Sequence, residues 1–155
     1  MRLMCAVALV TGSAYSCQTG VFASQPTGPG NNMLDGSWFA GTVSVASANQ
    51  AVTCTASNLT FTLAQNGTTV TGTYAWSDLT CRGPGTPPSY GAMSGAIANG
   101  TVIANSFAFD LGNTGFHFSG TIGNSAIYGP CSLDIAFAPP TGQAMLNGGW
   151  TATPQ

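Results

Sequence analysis

The sequence lacks lysine and glutamate altogether and has little charge of either sign. Its 155 residues include two arginines, four aspartates and one histidine, and charged residues make up 4% of the chain. A globular domain usually has about 25%. The formal net charge of −2 provides no basic surface for nucleic acid and no polybasic patch for anionic lipid. Because carboxylates are few and there is one imidazole, we also expect no catalytic residues and no enzyme activity.

Long hydrophobic runs are missing as well. A membrane-spanning helix needs about 18 or more consecutive apolar residues, whereas the longest run here extends from Leu3 to Val10. The apolar fraction of 44% is nevertheless ordinary for a folded protein, which excludes a disordered chain. The surface must therefore be built largely from serine, threonine, asparagine and glycine.

The first 33 residues divide by composition into a leader and a tether. Arg2 gives a positive start, an apolar stretch follows as far as Val10, and residues 11–16 are mostly small, as in a secretory signal. We assign residues 1–17 to this leader, 18–33 to a flexible Gly-, Pro-, Thr- and Asn-rich tether, and 34–155 to one domain. Either the chain is secreted after cleavage, or Cys17 carries a lipid anchor as its membrane attachment. Both alternatives predict a secreted or cell-envelope location.

Three cysteines remain in the domain, Cys54, Cys81 and Cys131. An exported chain can keep disulfides, and hairpin pairing brings Cys54 and Cys81 close together at the open end of one hairpin. We therefore predict a Cys54–Cys81 disulfide with Cys131 free and buried, and a Cys81–Cys131 bond is the alternative. With no C-x-x-C pair and one histidine, we expect no metal site, and nothing implies a cofactor.

The clearest hairpin signal surrounds Asn66-Gly67. Apolar residues alternate with threonine on both sides of this dipeptide, which is typical of strands with one buried and one exposed face. A two-residue turn at Asn66-Gly67 would pair Leu63 with Val70 and Phe61 with Gly72. These four residues then share the face that points to the core.

Further alternating segments complete an all-β pattern. A three-residue turn around residues 99–101 and a turn at Asn124-Ser125 predict two more hairpins, the latter pairing Ile122 with Ile127. Two flanking segments bring the total to about eight strands, and no segment has a helical period. We predict an antiparallel up-and-down barrel, with a β-sandwich as the alternative. An outer-membrane barrel is disfavoured because the outward positions are Thr, Ser and Ala.

Two short motifs support a barrel. The segment Leu34-Asp35-Gly36-Ser37-Trp38 resembles the L-x-G-x-W that opens avidin-type barrels, and a similar G-x-W occurs in lipocalins. The segment Gly72-Thr73-Tyr74 resembles the avidin G-T-Y, whose tyrosine contacts biotin in that family. The positions two residues after each aromatic depart from the avidin pattern, since they hold Ala40 and Trp76. The resemblance therefore implies a lipocalin- or avidin-like barrel, of the kind found in bacterial envelope lipoproteins, more than it implies biotin.

Aromatic residues are the main candidates for a binding site. An eight-stranded barrel is wide enough either to be filled by side chains or to hold one small ligand. We hypothesise a non-catalytic barrel that binds a small, mostly apolar ligand in its mouth. The alternative is a structural or adhesive surface protein with a filled core that acts through its Thr/Asn-rich outer face or by self-association. The candidate ligand-binding residues are Trp38, Tyr74, Trp76, Phe107, Phe109, Phe118 and Trp150.

The few ionisable residues are expected on the surface. Strand alternation turns His117 outward if its neighbour Phe118 points inward. Asp78 and Arg82 flank Cys81 and are expected to form a solvent-exposed ion pair, which would contribute at most about 1 kcal/mol.

Overall fold

The computed structural model describes residues 33–86, 89–136 and 143–155. The predicted leader, Cys17 and the tether up to residue 32 lie outside these residues. The strands within the described ranges are β1 (Gly36–Ala46), β2 (Thr53–Asn66), β3 (Thr69–Trp76), β4 (Asp78–Arg82), β5 (Met93–Ile103), β6 (Ser106–Leu111), β7 (Phe116–Ile122), β8 (Ile127–Ala136) and β9 (Gln143–Pro154). In the same ranges, no helix is long and apolar enough to cross a membrane.

Eight of the nine described strands close into an antiparallel barrel. Their order is β1-β9-β8-β7-β6-β5-β3-β2, and β1 pairs with both β9 and β2. Strand β4 pairs with the first half of β2 and forms the extra strand. Closure leaves no exposed sheet edge among the eight barrel strands. The predicted up-and-down barrel is confirmed, and the β-sandwich alternative is wrong.

Alternation along the strands separates a core from a polar exterior. In β7, for example, Phe116 and Phe118 are buried, whereas His117 between them is exposed, as predicted. No polar or charged residue is buried among those that the structure describes. The hydrophobic effect therefore acts on one apolar interior, and the outer wall needs few charges because threonine and serine cover it.

The first hairpin turns one residue later than predicted. Asn66 pairs with Thr69, so the turn consists of Gly67 and Thr68, and Leu63 lies opposite Gly72 rather than Val70. Gly67 has φ +60°, the conformation that a type II′ turn requires at its first central position. The predicted register was wrong by two residues in the partner strand, but a shift by two keeps every residue on its predicted face.

The predicted turn around residues 99–101 is a bulge inside β5. The turn between β5 and β6 lies further on, since Ile103 pairs with Ser106. Asn99 has φ +51°, and Gly100 lies opposite Val70 of β3. A β-carbon on Gly100 would lie 2.0 Å from the Val70 carbonyl oxygen. Because β3 and β6 both pair with β5 around this point, the Asn99-Gly100 pair forms a bulge and does not reverse the chain direction.

The third hairpin and the disulfide agree with the predictions. Ile122 pairs with Ile127 across the turn at Asn124-Ser125. Cys54 and Cys81 are direct partners across β2 and β4, with Cα atoms 4.1 Å apart, and form a disulfide. Cys131 is free and buried.

The long hairpin bends where β3 passes into β4. Asn58 has φ +53° and donates from Nδ2 to the Ser77 hydroxyl, 3.0 Å away. At this level both strands change the face that they bury. Trp76 and then Leu79 therefore both point inward although they are three residues apart. This bend brings β4 over one end of the barrel, where the β4–β5 and β6–β7 loops lie. We call this end the mouth.

Candidate ligand-binding site at the barrel mouth

A pocket of about 430 Å³ lies at the mouth. Its walls come from β3, β4, the segment leading into β5, the β6–β7 loop and β8, and they are mainly apolar and aromatic. The lining residues are Tyr74, Trp76, Leu79, Tyr90, Met93, Asn113, Thr114 and Ile135. Concave, mainly apolar sites of about 300–1,000 Å³ are typical of small-molecule binding.

Two of the predicted residues, Tyr74 and Trp76, form the deep wall of this pocket. Both point inward from β3 and are buried. Their ring centroids lie 5.2 Å apart at an interplanar angle of 31°, and Trp76 also makes an edge contact with Phe116. Burial raises the pKa of the Tyr74 hydroxyl above its ordinary value. Tyr74 therefore stays neutral at physiological pH, and the wall presents uncharged aromatic surface.

One carboxylate organises the rim. Asp78 accepts hydrogen bonds from the Ser89 hydroxyl, the Gly91 backbone N–H and the Thr80 hydroxyl. The bonds from Ser89 and Thr80 are the main cause that lowers the pKa of Asp78 below its ordinary value. The predicted Asp78–Arg82 ion pair is wrong, since the described residues form an ion pair at His117–Asp110 and none between Asp78 and Arg82. Ser89, Gly91 and Thr80 donate to the Asp78 carboxylate instead.

Residues Ser89–Gly91, which we call the strap, are fastened to the pocket wall. The Trp76 indole N–H donates to the Gly91 carbonyl, 3.2 Å away. The Tyr90 backbone N–H donates to the Leu79 carbonyl at 2.8 Å. These bonds hold the strap along the outer edge of β4, and they place the partly exposed Tyr90 ring in the pocket lining.

The other five predicted residues lie in the core. Phe109 and Phe118 stack with ring centroids 5.6 Å apart, and Trp150 packs edge-on against Phe118 at 5.0 Å. Phe107 stacks on Phe109. Trp38 is buried and donates from its indole to the Leu34 carbonyl. These rings pack against one another or the backbone rather than line the mouth pocket, so the structure brings only Tyr74 and Trp76 of the predicted set to it.

Six of the lining residues were not among the predicted ones. They come from the β4–β5 and β6–β7 loops and from the ends of strands: Leu79, Tyr90, Met93, Asn113, Thr114 and Ile135. The available signal was the long Pro- and Gly-rich segment after Arg82, since such loops often carry binding residues. Nothing in the alternation pattern shows that Tyr90 in this segment would lie beside β8, because that depends on barrel closure.

The titratable pair on the outer wall is separate from the mouth pocket. His117 Nδ1 lies 2.6 Å from Asp110 Oδ1, and Asn99 donates to the other carboxylate oxygen at 2.7 Å. Burial raises the pKa of Asp110, but the hydrogen bonds from Asn99 and His117 outweigh this effect and lower it overall. The His117 side chain is 53% exposed, so this pair faces solvent. Among the described residues, no group of three His, Cys, Asp or Glu side chains could hold a metal ion.

The fold and the pocket define a class of protein: a closed antiparallel β-barrel with a small apolar pocket at one end. Its closure agrees with the barrel that the resemblance to lipocalins and avidins implied. Comparison of this chain with protein-family models, with curated proteins and with solved structures finds no match.

Proposed function

We propose that this protein is a non-catalytic β-barrel that binds a small, mostly apolar ligand in the mouth pocket. The observation that carries the proposal is the pocket itself, about 430 Å³ in volume and lined largely by Trp76, Leu79, Tyr90, Met93 and Ile135. A ligand that covers these side chains would be stabilised by about 25 cal/mol for each Å² of apolar surface removed from water. Trp76 of the pocket lining packs against Phe116, which in turn contacts Phe118 of the filled core.

The compartment of the proposed function is the exterior of the cell or its envelope. The Cys54–Cys81 disulfide supports an oxidising compartment. The leader-like composition of residues 1–17 supports export, and lipidation at Cys17 would attach the protein to a membrane. A non-catalytic role is supported by the position of the His117–Asp110 pair, which lies on the outer wall and not among the pocket residues.

The test is binding of N-phenyl-1-naphthylamine, an apolar dye that fluoresces when it leaves water. We expect saturable binding that stabilises the protein against heat, with the effect lost on Trp76→Ala. Because Trp76 is buried and its loss could unfold the barrel, Met93→Glu provides a second test. Met93 is 43% exposed, so a carboxylate is tolerated there but repels an apolar ligand from the pocket.

The matched control is Met145→Glu, since Met145 is 62% exposed and is not part of the pocket lining. We expect wild-type dye binding for this variant and at least about tenfold weaker binding for Met93→Glu. Equal binding by the two variants, or no binding by the wild-type protein, would refute the proposed site.

A second candidate function is adhesion or self-association through the outer wall. A shallow depression of about 420 Å³ lies outside the barrel and is lined in part by Thr60, Thr62, Thr73 and Ser94. Hydroxyl groups at such a surface can bind a polar partner or a second copy. Sedimentation over a wide concentration range tests self-association, and a strict monomer at the highest concentration would count against it.

A further inference from the structure

Three of the side chains that line the mouth pocket are aromatic: Tyr74, Trp76 and Tyr90. The face of an aromatic ring carries partial negative charge and attracts a cation within about 6 Å of its centre. Since the Tyr74 and Trp76 ring centroids are 5.2 Å apart, a group that contacts one ring is within reach of the other. Met93 adds a polarisable thioether to the same lining.

Among the residues that the structure describes, no basic side chain lines this pocket. The chain has no lysine, and Arg82 lines a separate depression with residues such as Thr53 and Thr55. The described loop residues 83–86, 89–92 and 112–115 contain no charged side chain. The lining therefore offers no partner for a carboxylate or phosphate on a ligand, and burying such an anion there would be costly.

One carboxylate lies at the rim of the pocket. Asp78 accepts hydrogen bonds from the Ser89 hydroxyl and the Gly91 backbone N–H of the strap. The hydrogen bonds from Ser89 and Thr80 lower the pKa of Asp78, so this carboxylate remains ionised over the whole neutral range. The charge near the rim is therefore negative, which attracts cations and repels anions.

We propose that the mouth pocket selects a ligand with a quaternary or tertiary ammonium group, which the rings of Tyr74, Trp76 and Tyr90 hold by cation–π attraction. This inference rests on the proposed function and names the chemical class of its ligand. It excludes fatty acids and other apolar anions as ligands.

The experiment uses three probes of nearly equal size, of which one is cationic, one is neutral and one is anionic. Choline carries a trimethylammonium group, 3,3-dimethylbutan-1-ol replaces its nitrogen with carbon, and 3,3-dimethylbutanoate carries an anionic end. Each competes with N-phenyl-1-naphthylamine for the folded protein at fixed ionic strength. We expect choline to displace the dye at a concentration at least about fivefold lower than the alcohol does. The carboxylate should displace it less well than the alcohol.

Matched variants test whether the rings and the rim charge cause this preference. Tyr90→Leu keeps apolar surface but removes one ring, and we expect the ratio of choline affinity to alcohol affinity to fall at least about twofold. Tyr128→Leu is its control, because Tyr128 is 49% exposed and is not part of the pocket lining. Asp78→Asn should also lower the ratio, while Asp35→Asn, which removes the same charge outside the pocket lining, should not.

The outcomes separate this inference from the proposed function. If the dye and the alcohol bind at the mouth but choline binds no better, the ammonium selectivity is wrong and the apolar ligand site stands. If neither the dye nor any probe binds the folded protein, the proposed function fails, and the ammonium site fails with it. A choline preference that Tyr90→Leu reduces and Tyr128→Leu retains supports the inference.

Discussion

The indole N–H of Trp150 donates to the carbonyl oxygen of Ser119, 3.2 Å away. The same N–H lies 3.2 Å from the carbonyl oxygen of Pro130. Hydrogen-bonded and non-hydrogen-bonded pairs alternate in an antiparallel ladder. The Gly123 N–H donates to the Ala126 carbonyl, so these two residues occupy a hydrogen-bonded position of the β7–β8 ladder. Ser119 and Pro130 lie four residues further along their strands, and their position is therefore also a hydrogen-bonded one. Because proline has no N–H, the Ser119 carbonyl lacks its ladder donor, and Trp150 replaces that donor.

Trp150→Phe should therefore destabilise the barrel by more than the loss of apolar area explains. The phenyl ring keeps most of the aromatic packing but leaves the Ser119 carbonyl without a donor, at a cost of about 1–3 kcal/mol. Urea denaturation of both proteins measures the difference in the free energy of unfolding.

Pro130→Ala provides the control for this interpretation. It restores a backbone N–H that can donate to Ser119, so Trp150→Phe should cost at least about 1 kcal/mol less in the Pro130→Ala background. If the cost is the same in both backgrounds, the indole hydrogen bond is not what Trp150 contributes.

Gly129→Ala should disrupt the contact between β7 and β8. A β-carbon at Gly129 would lie 2.3 Å from the Ser119 carbonyl oxygen and 2.5 Å from the Gly120 Cα, and backbone atoms cannot yield as a flexible side chain can. We expect a loss of at least about 1–3 kcal/mol in unfolding free energy. Gly149→Ala is the neighbouring control, because its β-carbon would meet its nearest atom at 3.8 Å. Equal losses for the two variants would contradict the steric explanation.

The Cys54–Cys81 disulfide should stabilise the protein measurably. It links residues separated by 27 positions, and removal of such a crosslink typically costs about 3 kcal/mol through the unfolded state. The double variant Cys54→Ala/Cys81→Ala should melt at a lower temperature and be insensitive to reductant, whereas the wild-type melting temperature should fall when reductant is added. A wild-type protein that melts at the same temperature with and without reductant would argue against this contribution.

The buried Cys131 thiol should make stability depend on alkaline pH. Burial raises the pKa of Cys131 to about 11, above its unfolded value of about 8.5. The folded state therefore holds the proton more tightly. This contribution, about 3 kcal/mol at about 1.4 kcal/mol for each unit of pKa difference, is fully present below about pH 8.5 and is lost as pH rises through about 11. Unfolding free energies measured from pH 7 to 11 test it.

Cys131→Ala is the reference for this titration, since tyrosines also ionise at high pH. The variant should lose less stability over the same pH interval than the wild-type protein does. Parallel pH profiles for the two proteins would mean that the thiol does not titrate in a buried environment.

Alternation in the sequence determined which face of most strands is buried. It placed Phe61 and Phe118 inside and His117 outside, because one face of a barrel strand meets the core and the other meets water. Hairpin pairing predicted that Cys54 and Cys81 lie close together, since both are near the open end of one hairpin. These inferences depend on the period of two and on short-range pairing, which the chain carries locally.

Turn positions were less well determined because two registers that differ by two residues bury the same face. Leu63 faces the core whether it pairs with Val70 or Gly72, so the hydrophobic pattern does not choose between them. The Asn99-Gly100 pair suits both a turn and a bulge by its backbone conformation. Pairing with β3 on one side and β6 on the other selects the bulge, and those contacts come from residues distant in the chain.

The candidate site was also determined partly by the local sequence and partly by contacts between distant segments. The sequence by itself determined an all-β, charge-poor chain with many aromatic side chains, and it named Tyr74 and Trp76. Only the tertiary structure decided that Phe109, Phe118 and Trp150 fill the core while Tyr90 and Met93 line the mouth. Strand closure brings β3, the strap and β8 around one space, and a local pattern carries no information about which distant segments will enclose it.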